Sequence, residues 1–296
     1  MTVIVTVAIP VHNGEKTIRN CLEALEKQNI PRESYEIIVV DDGSIDGTVS
    51  AVNNYQLKLL KQPHRGVAAA RNAAIGNAKG RWLAFTDADC LPSRVWLSSL
   101  LQAVDNKENT RVLGAAGQLI GFRSRTASAR YFDMSGGFDV ERHITHPVYP
   151  YALHGNVMYI REALVAVGGM DERYDHYHGP DLHDRLSRSY GGEFYYVPRA
   201  VVFHYNPNTW RSFWIQQFRY GVGYAQFLIH HRDQISWTFF HEWKAWKQVL
   251  YSGINSLKPG DGDESLLRRG NFYKLLAQRM GFLVTFWNHA ERKKWC

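Results

Sequence analysis

Cysteine is scarce in this chain: three in 296 residues, Cys21, Cys90 and Cys296, odd in number and far apart. That argues against a disulfide framework and fits a reducing cytosol. No uncharged apolar run reaches the ~18 residues needed to span a bilayer. Residues 1–11 are apolar, but they lack a basic leader and a small-residue cleavage site, and Asn13-Gly14 interrupts them. They read as a buried first strand, not a secretion signal. There is no internal repeat and no recognised nucleic-acid motif, so a nucleic-acid partner is not expected. The segment Val11-His12-Asn13-Gly14-Glu15 is not the Gly-rich, basic loop of a nucleotidyltransferase, and Lys258 to Asp263 offers too few regularly spaced oxygens for a calcium loop. What is present, 45% hydrophobic and 21% charged residues, is ordinary for a globular chain with ample length for a large core.

The charge is placed unevenly. Residues 1–210 carry 22 Lys+Arg against 22 Asp+Glu, whereas residues 211–296 carry 13 against 6, so the whole +7 lies in the C-terminal part. Six of the nine tryptophans lie there too. Basic residues mixed with aromatics suit an anionic membrane surface or an anionic acceptor, and equally a packed helical appendage with a solvated basic face.

Strand and helix signals alternate over the first ~110 residues. Strands are predicted at Val3–Pro10, Tyr35–Val40, Leu57–Leu60 and Trp82–Thr86. Helices are predicted over Thr17–Gln28, from Asp46-Gly47-Thr48 with Asp or Thr as N-cap, and over Val67–Ala78 with Gly80 stopping it in the C′ position. Such alternation implies a mostly parallel sheet with helices on both faces, whose ligands bind outside the carboxyl ends of the strands. Further strands are expected at Gly114–Ile120 and Val197–His204, a polar segment of weak periodicity over 123–150, and helices after Asn206-Pro207-Asn208.

Two acidic pairs fall at predicted strand ends, Asp41-Asp42 and Asp87/Asp89. In an extended chain Asp87 and Asp89 point the same way. Two carboxylates aimed together repel each other unless a cation lies between them, and Mg²⁺ or Mn²⁺ bound with a substrate diphosphate is the common solution.

An ordered series carries a resemblance: Ala8 to Glu15, Val39 to Thr48, Gly66 to Asn72, Asp87-Ala88-Asp89, Gly168 to Glu172, Asp181 to Leu186, and Val197 to His204. It resembles glycosyltransferase family 2 over roughly residues 3–205. The resemblance implies a GT-A fold: Rossmann-like, mostly parallel α/β, here with a helical, basic, aromatic-rich C-terminal region. Expected domains are 1–210, catalytic, with a nucleotide-sugar half (1–110) and an acceptor half (111–210), and 211–296, helical. The implied activity is inverting, metal-assisted transfer from a nucleotide diphosphate sugar, UDP favoured, to a hydroxyl of a glycan or lipid-linked acceptor.

Residue by residue, the resemblance places Pro10, Asn13 and Glu15 in the nucleotide pocket. It gives Asp42, or Asp41, a hydrogen bond to the base. Arg71 is expected near the nucleotide phosphates, Asp87 and Asp89 on a Mn²⁺ or Mg²⁺ ion with Asp89 as direct ligand, and His204 close to the metal or diphosphate. The Glu-Asp pair that usually supplies the base is missing, because His178-Gly179 stands in its register. Asp181, His178, His176 and Asp175 are the nearby candidates, with Asp181 preferred and His178 next. A zinc reading of His176, His178 and His183 is disfavoured because no cysteine lies near in sequence. Gln216-Gln217-Phe218-Arg219-Tyr220 echoes the Gln-x-x-Arg-Trp segment of processive members and makes Arg219 an acceptor- or diphosphate-side candidate. Trp210 and Trp214 could stack on sugars or belong to a core. Loss of the Glu-Asp pair keeps a second reading alive, a catalytically impaired nucleotide-sugar-binding protein or partner subunit of the same fold. The expected location is the cytoplasm, with residues 270–296 as a peripheral contact to an anionic membrane at its inner face.

Overall fold

A continuous apolar run buried on both faces gives the central strand of a sheet. In the computed structural model, which describes residues 3–105, 111–146, 150–174, 176–231 and 239–294, the first strand β1 (Val5–Val11) is buried along its whole length. It is followed by α1 (Ile18–Glu26), β2 (Tyr35–Asp42), α2 (Thr48–Val52), β3 (Lys58–Gln62), α3 (Val67–Asn77), β4 (Trp82–Phe85), β5 (Cys90–Pro92) and α4 (Trp96–Asp105). The chain continues through β6 (Val112–Gly121), α5 (Ala127–Met134), α6 (Val140–Ile144), β7 (Val157–Ile160), α7 (Arg161–Ala166), α8 (His178–Ser189) and β8 (Glu193–His204). Three long helices close it: α9 (Trp210–His230), α10 (Phe239–Ser256) and α11 (Gly262–Lys294). α1 is helical for the reason its sequence states: Ile18, Cys21, Leu22 and Leu25 recur at i, i+3, i+4 and i+7 and are buried against the sheet.

The sheet runs in the order β3-β2-β1-β4-β7-β6-β8-β5. β3, β2, β1 and β4 are mutually parallel, β7 runs antiparallel to β4 and β6, β8 is parallel to β6, and β5 is antiparallel to β8. The mostly parallel α/β architecture is therefore as expected, with its mixed pairings confined to the half after β4. The parallel register Ala8↔Ile38 and Ala8↔Phe85 aligns the carboxyl ends of β1, β2 and β4, which is where the acidic pairs emerge.

Several local expectations are corrected. Gly80 is not a C′ residue: α3 ends at Asn77 with Ala78 extended, and Gly80 lies against β1, where an added Cβ would sit 2.5 Å from the Thr6 backbone nitrogen. α2 starts after Gly47, and Asp46 serves it from one residue further out, its Oδ1 accepting from the Thr48 N–H at 3.0 Å. The stretch 123–150 holds two short helices, α5 and α6, each with a side-chain cap, from Thr126 and Asp139. Asp87-Ala88-Asp89 is a turn closed by Cys90 N–H to Asp87 O at 3.0 Å, not an extended strand end, so strict alternation does not govern its side chains.

The chain divides into two compact units. One comprises Met1–Phe122, Phe138–Glu172 and His178–Tyr205 and holds the sheet. The other comprises Arg123–Gly137, Arg173–Tyr177 and Asn206–Cys296. Within the second unit α9 and α11 approach so closely that a Cβ on Gly221 or Gly281 would lie 1.9 or 2.0 Å from a carbonyl oxygen of the facing helix. Tyr131 of α5 joins them through a 2.8 Å bond to Asn271. Trp210 and Trp214 pack on Tyr273, with ring centroids 5.5 and 4.7 Å away, so both tryptophans belong to this unit's aromatic packing. Gln217 bonds to Gln216 at 3.2 Å and to Gln278 at 2.9 Å, while Arg219 is exposed on α9.

Candidate active site

At the end of β2 the two adjacent aspartates have different jobs. Asp42 is buried, and both its oxygens are filled. Oδ1 accepts from Gln62 Nε2 at 2.7 Å and from Arg65 N–H at 2.9 Å, and Oδ2 accepts from Gly66 N–H at 2.9 Å and from His64 Nδ1 at 2.8 Å. Burial works against its charge, but the Arg65, Gln62, Gly66 and His64 contacts prevail and hold its carboxyl below the usual range. Asp42 is thus the anchor that folds the 62–66 loop onto the strand. Asp41 accepts from Ser44 N–H at 3.2 Å, and of the two carboxylates it has the acceptor capacity to spare.

Above Asp42 lie two imidazoles that the sequence reading did not single out. His12 Nδ1 faces the Asp42 carbonyl oxygen at 2.8 Å, His64 Nδ1 faces the carboxylate, and the rings stack with centroids 4.1 Å apart. Neither oxygen can donate, so each Nδ1 is the donor, and His12 Nε2 meets Asn13 Nδ2 at 3.0 Å. His12, Asp42 and His64 lie close enough to resemble a metal cluster. The four bonds already on Asp42 leave it no free lone pair for an ion. Asn13, at φ 55°, accepts from Ile45 N–H at 2.9 Å and donates its own N–H to Ser44 at 2.8 Å. Glu15 accepts from Gly47 N–H at 3.2 Å. The two residues pin the loop after β1 to the loop after β2. Pro10 is buried inside β1 opposite Val40.

The second acidic pair is split by its turn. Asp87 Oδ1 accepts from Arg71 Nη2 at 2.8 Å. Arg71 is itself buried on α3, and its Nη1 lies 2.5 Å from His178 Nε2. Arg71 therefore holds the carboxylate from behind with one Nη and meets His178 with the other, while its buried Nε has no hydrogen-bond partner among the described residues. Asp89 turns the other way. β5 pairs with β8 so that Cys90 opposes His204, which places His204 Nε2 3.5 Å from Asp89 Oδ1, 115 residues along the chain. Burial raises the pKa of Asp89, His204 pulls it down, and Asp87 raises it further.

This donor set suits a divalent cation. A carboxylate and an imidazole nitrogen face each other, and a second carboxylate destabilises the first by its charge. A cation there would favour the ionised Asp89 that burial disfavours. Burial pushes the neighbouring Cys90 thiol well up, so it stays protonated beside the set. Asp89, Cys90 and His204 form one of two metal-sized groups among the described residues, and the histidines 176, 178 and 183 form none.

The two leading base candidates are both on α8 and both buried. Asp181 Oδ2 accepts from Arg185 Nε and Nη2 at 2.9 and 2.7 Å, and Arg185 also ties the carbonyls of Val167 and Gly169. His178 receives the Arg71 contact on Nε2 and lies 4.9 Å, ring to ring, from His154. Burial, with Arg71 and His178 adding to it, keeps His154 neutral. His176 and Arg219 belong to the second unit, and Asp175 lies outside the described residues.

Comparison with known proteins identifies the family and the fold. Residues 6–168 match the family described as Glycosyl transferase family 2. The pre-mycofactocin glycosyltransferase of Mycobacterium tuberculosis is 30% identical over 244 residues, 78% of this chain and 48% of that protein. The chain spans 33% of the glycosyltransferase AglE of Haloferax volcanii and 48% of the mycobacterial protein. Among solved structures, the mannosyltransferase PcManGT from Pyrobaculum calidifontis, in complex with GDP-Man and Mn²⁺, aligns with 97% of this chain and 88% of its own at a TM-score of 0.66 and 20% identity. S. aureus TarS 1–349 in complex with UDP aligns with 97% and 91% at 0.54 and 16% identity. At these identities the structural likeness shows the fold, which is GT-A.

Proposed function

The chain belongs to glycosyl transferase family 2, and from that premise we propose that it is an inverting transferase acting on a nucleoside diphosphate sugar, with uridine preferred. Its acceptor is a hydroxyl of a lipid-linked or polysaccharide glycan. The observation that carries the reading is the Asp87–Asp89 turn with His204, beside the Asp41 and Asp42 end of β2. The nucleotides bound by the two structural neighbours, GDP-Man with Mn²⁺ and UDP, support a nucleotide-sugar donor and a divalent ion.

In this reading Asp41 accepts a hydrogen bond from the base, while Asp42 shapes the pocket by holding the 62–66 loop. Asp89 and His204 hold Mn²⁺ or Mg²⁺, which when bound supplies Lewis-acid neutralisation of the leaving diphosphate. Asp87 stands beside it, oriented by Arg71. Arg219, on α9 of the second unit, stays an acceptor- or diphosphate-side proposal that rests on the family resemblance alone. The proton of the acceptor hydroxyl goes to Asp181 or His178. The catalytic part is residues 1–210, and the helical remainder serves acceptor or membrane contact. We place the protein in the cytoplasm, peripherally on an anionic membrane through residues 270–296. Of that stretch, Trp295 and Cys296 and the side chains of 290–294 lie outside the described residues. No described helix is long and apolar enough to cross a membrane.

One observation favours the second reading, a nucleotide-sugar-binding protein without turnover: Asp181 is engaged by Arg185 and His178 by Arg71. One experiment separates the two. Thermal unfolding with UDP, GDP, dTDP and CMP, each with and without Mn²⁺, is followed by a transfer assay with the stabilising nucleotide's sugars. A ligand at about 100 times its dissociation constant adds ~2.7 kcal/mol. A Mn²⁺-dependent shift lost in Asp89→Ala supports the site. Transfer supports the enzyme, and binding without transfer to any glycan or lipid-linked acceptor supports the binding protein. No shift with any nucleotide refutes both.

A further inference from the structure

Single exposed apolar residues are ordinary on a protein surface, but a long stripe of them is not. On α10, Trp243, Leu250 and Ile254 recur at helical spacing, and Leu257 continues the line one residue past the helix end. They are 51%, 64%, 67% and 83% exposed, with Tyr251 at 71% beside them. From Trp243 to Leu257 the stripe is about 21 Å long at 1.5 Å per residue. The packed side of the helix adjoins the stripe, about 100° around the axis. Val249 and Glu242 are buried there, and Glu242 pairs with Arg279 of α11 at 2.8 Å.

On the exposed face of α10 itself the charge has one sign, and the nearest carboxylate beyond the stripe without an ion pair among the described residues is the exposed Asp261. Glu242 is the only carboxylate in α10 and faces inward, while Lys244 and Lys247 are exposed along the stripe. Lys247 Nζ lies over the Trp243 ring, 5.5 Å from its centroid. Lys258 follows at the end of the stripe. Of the acidic residues just beyond, Asp263 pairs with Arg130 and Glu264 with Arg268.

We propose that this face of α10 is a docking surface for an anionic lipid bilayer. The apolar stripe enters the boundary between headgroups and acyl chains, and Lys244 and Lys247 contact the headgroup phosphates. Charge decides for lipid over a second copy of the chain: two such faces would bring like lysines together around their apolar stripes, whereas an anionic surface matches them. This surface is separate from residues 270–296 and does not depend on the transferase reading.

The test is flotation of the full chain with phosphatidylcholine vesicles, with and without 30 mol% phosphatidylglycerol. Binding is expected only with the anionic lipid and is expected to weaken at high salt. K244Q/K247Q should lower partitioning about thirtyfold, at roughly fivefold per lysine near the surface. L250E/I254E should lower it strongly with the melting temperature kept, since both residues are exposed, and W287E, within the separate contact proposed for residues 270–296, should lower it further in combination. Equal binding to neutral and anionic vesicles, or undiminished binding by both double variants, overturns the proposal. So does a light-scattering dimer that L250E/I254E converts to monomer, because a second copy would then cover the face.

Discussion

Replacing Asp42 by Asn tests whether this residue is a loop anchor or a ligand contact. The change keeps the shape and turns one carboxylate oxygen into an NH₂. Each oxygen accepts two bonds, so either orientation of the amide faces two donors with a donor. At about 1.5–3 kcal/mol per bond to a charged group, two lost bonds are worth ~3–6 kcal/mol. His64 is largely exposed and regains water, so the lower part of the range is expected, about 3–4 kcal/mol. For a chain of this length that lowers the melting temperature by about 6–8 °C. The effect depends on pH. The folded carboxyl titrates below its usual range, so in acid the unfolded chain binds the extra proton. The stabilisation is complete above the ordinary carboxylate pKa of about 3.9 and is lost as pH falls through the lower folded value. Melting curves of wild type and Asp42→Asn from pH 7 to pH 3 should show a wide gap that narrows in acid. Asp41→Asn is the contrast: under about 1 kcal/mol in stability, but a clear loss of nucleotide affinity. A gap below about 1 kcal/mol at neutral pH, or one that stays constant into acid, would refute the reasoning.

Three further outcomes are expected. Arg71→Met removes the buried cation behind Asp87 and should cost ~2–4 kcal/mol by urea unfolding, because a charge and an imidazole lose their partner; Arg71→Lys should restore only part, since an ammonium cannot serve both directions of the fork. Asp89→Asn should abolish the Mn²⁺-dependent thermal shift and lower kcat by at least about a hundredfold, some 2.7 kcal/mol of barrier. Asp181→Asn and His178→Gln separate the two base candidates: the true base loses the alkaline plateau of the kcat/KM profile, while the other variant retains its shape and changes chiefly stability.

The first half of the fold was legible because its signals are local. β1 and β2 are apolar runs long enough to be buried on both faces, and α1 carries its stripe in four residues. Short elements without that margin escaped. β5 is three residues and β7 four, and each is a strand only because β8, β6 and β4 pair with it. Gly80 looked like a helix stop because a glycine after a helix usually is one, but close passage against β1 is what requires it.

The candidate site divides in the same way. Residue type and order along the chain were enough to nominate Asp41, Asp42, Asp87, Asp89 and His204, because carboxylates at strand ends announce themselves in sequence. Their division of labour was not readable there. Asp42 is saturated by a loop that begins twenty residues later, Asp87 is held by a helix sixteen residues earlier, and Asp89 meets His204 only across the β5–β8 pairing. The sequence by itself determined the parallel α/β architecture and the inventory of acidic and imidazole groups, since hydrophobic period and residue chemistry are properties of short segments. Only the tertiary structure decided which of those groups are anchors and which retain free lone pairs. A side chain's hydrogen-bond partners are set by its neighbours in space, and here those neighbours come from distant strands and loops.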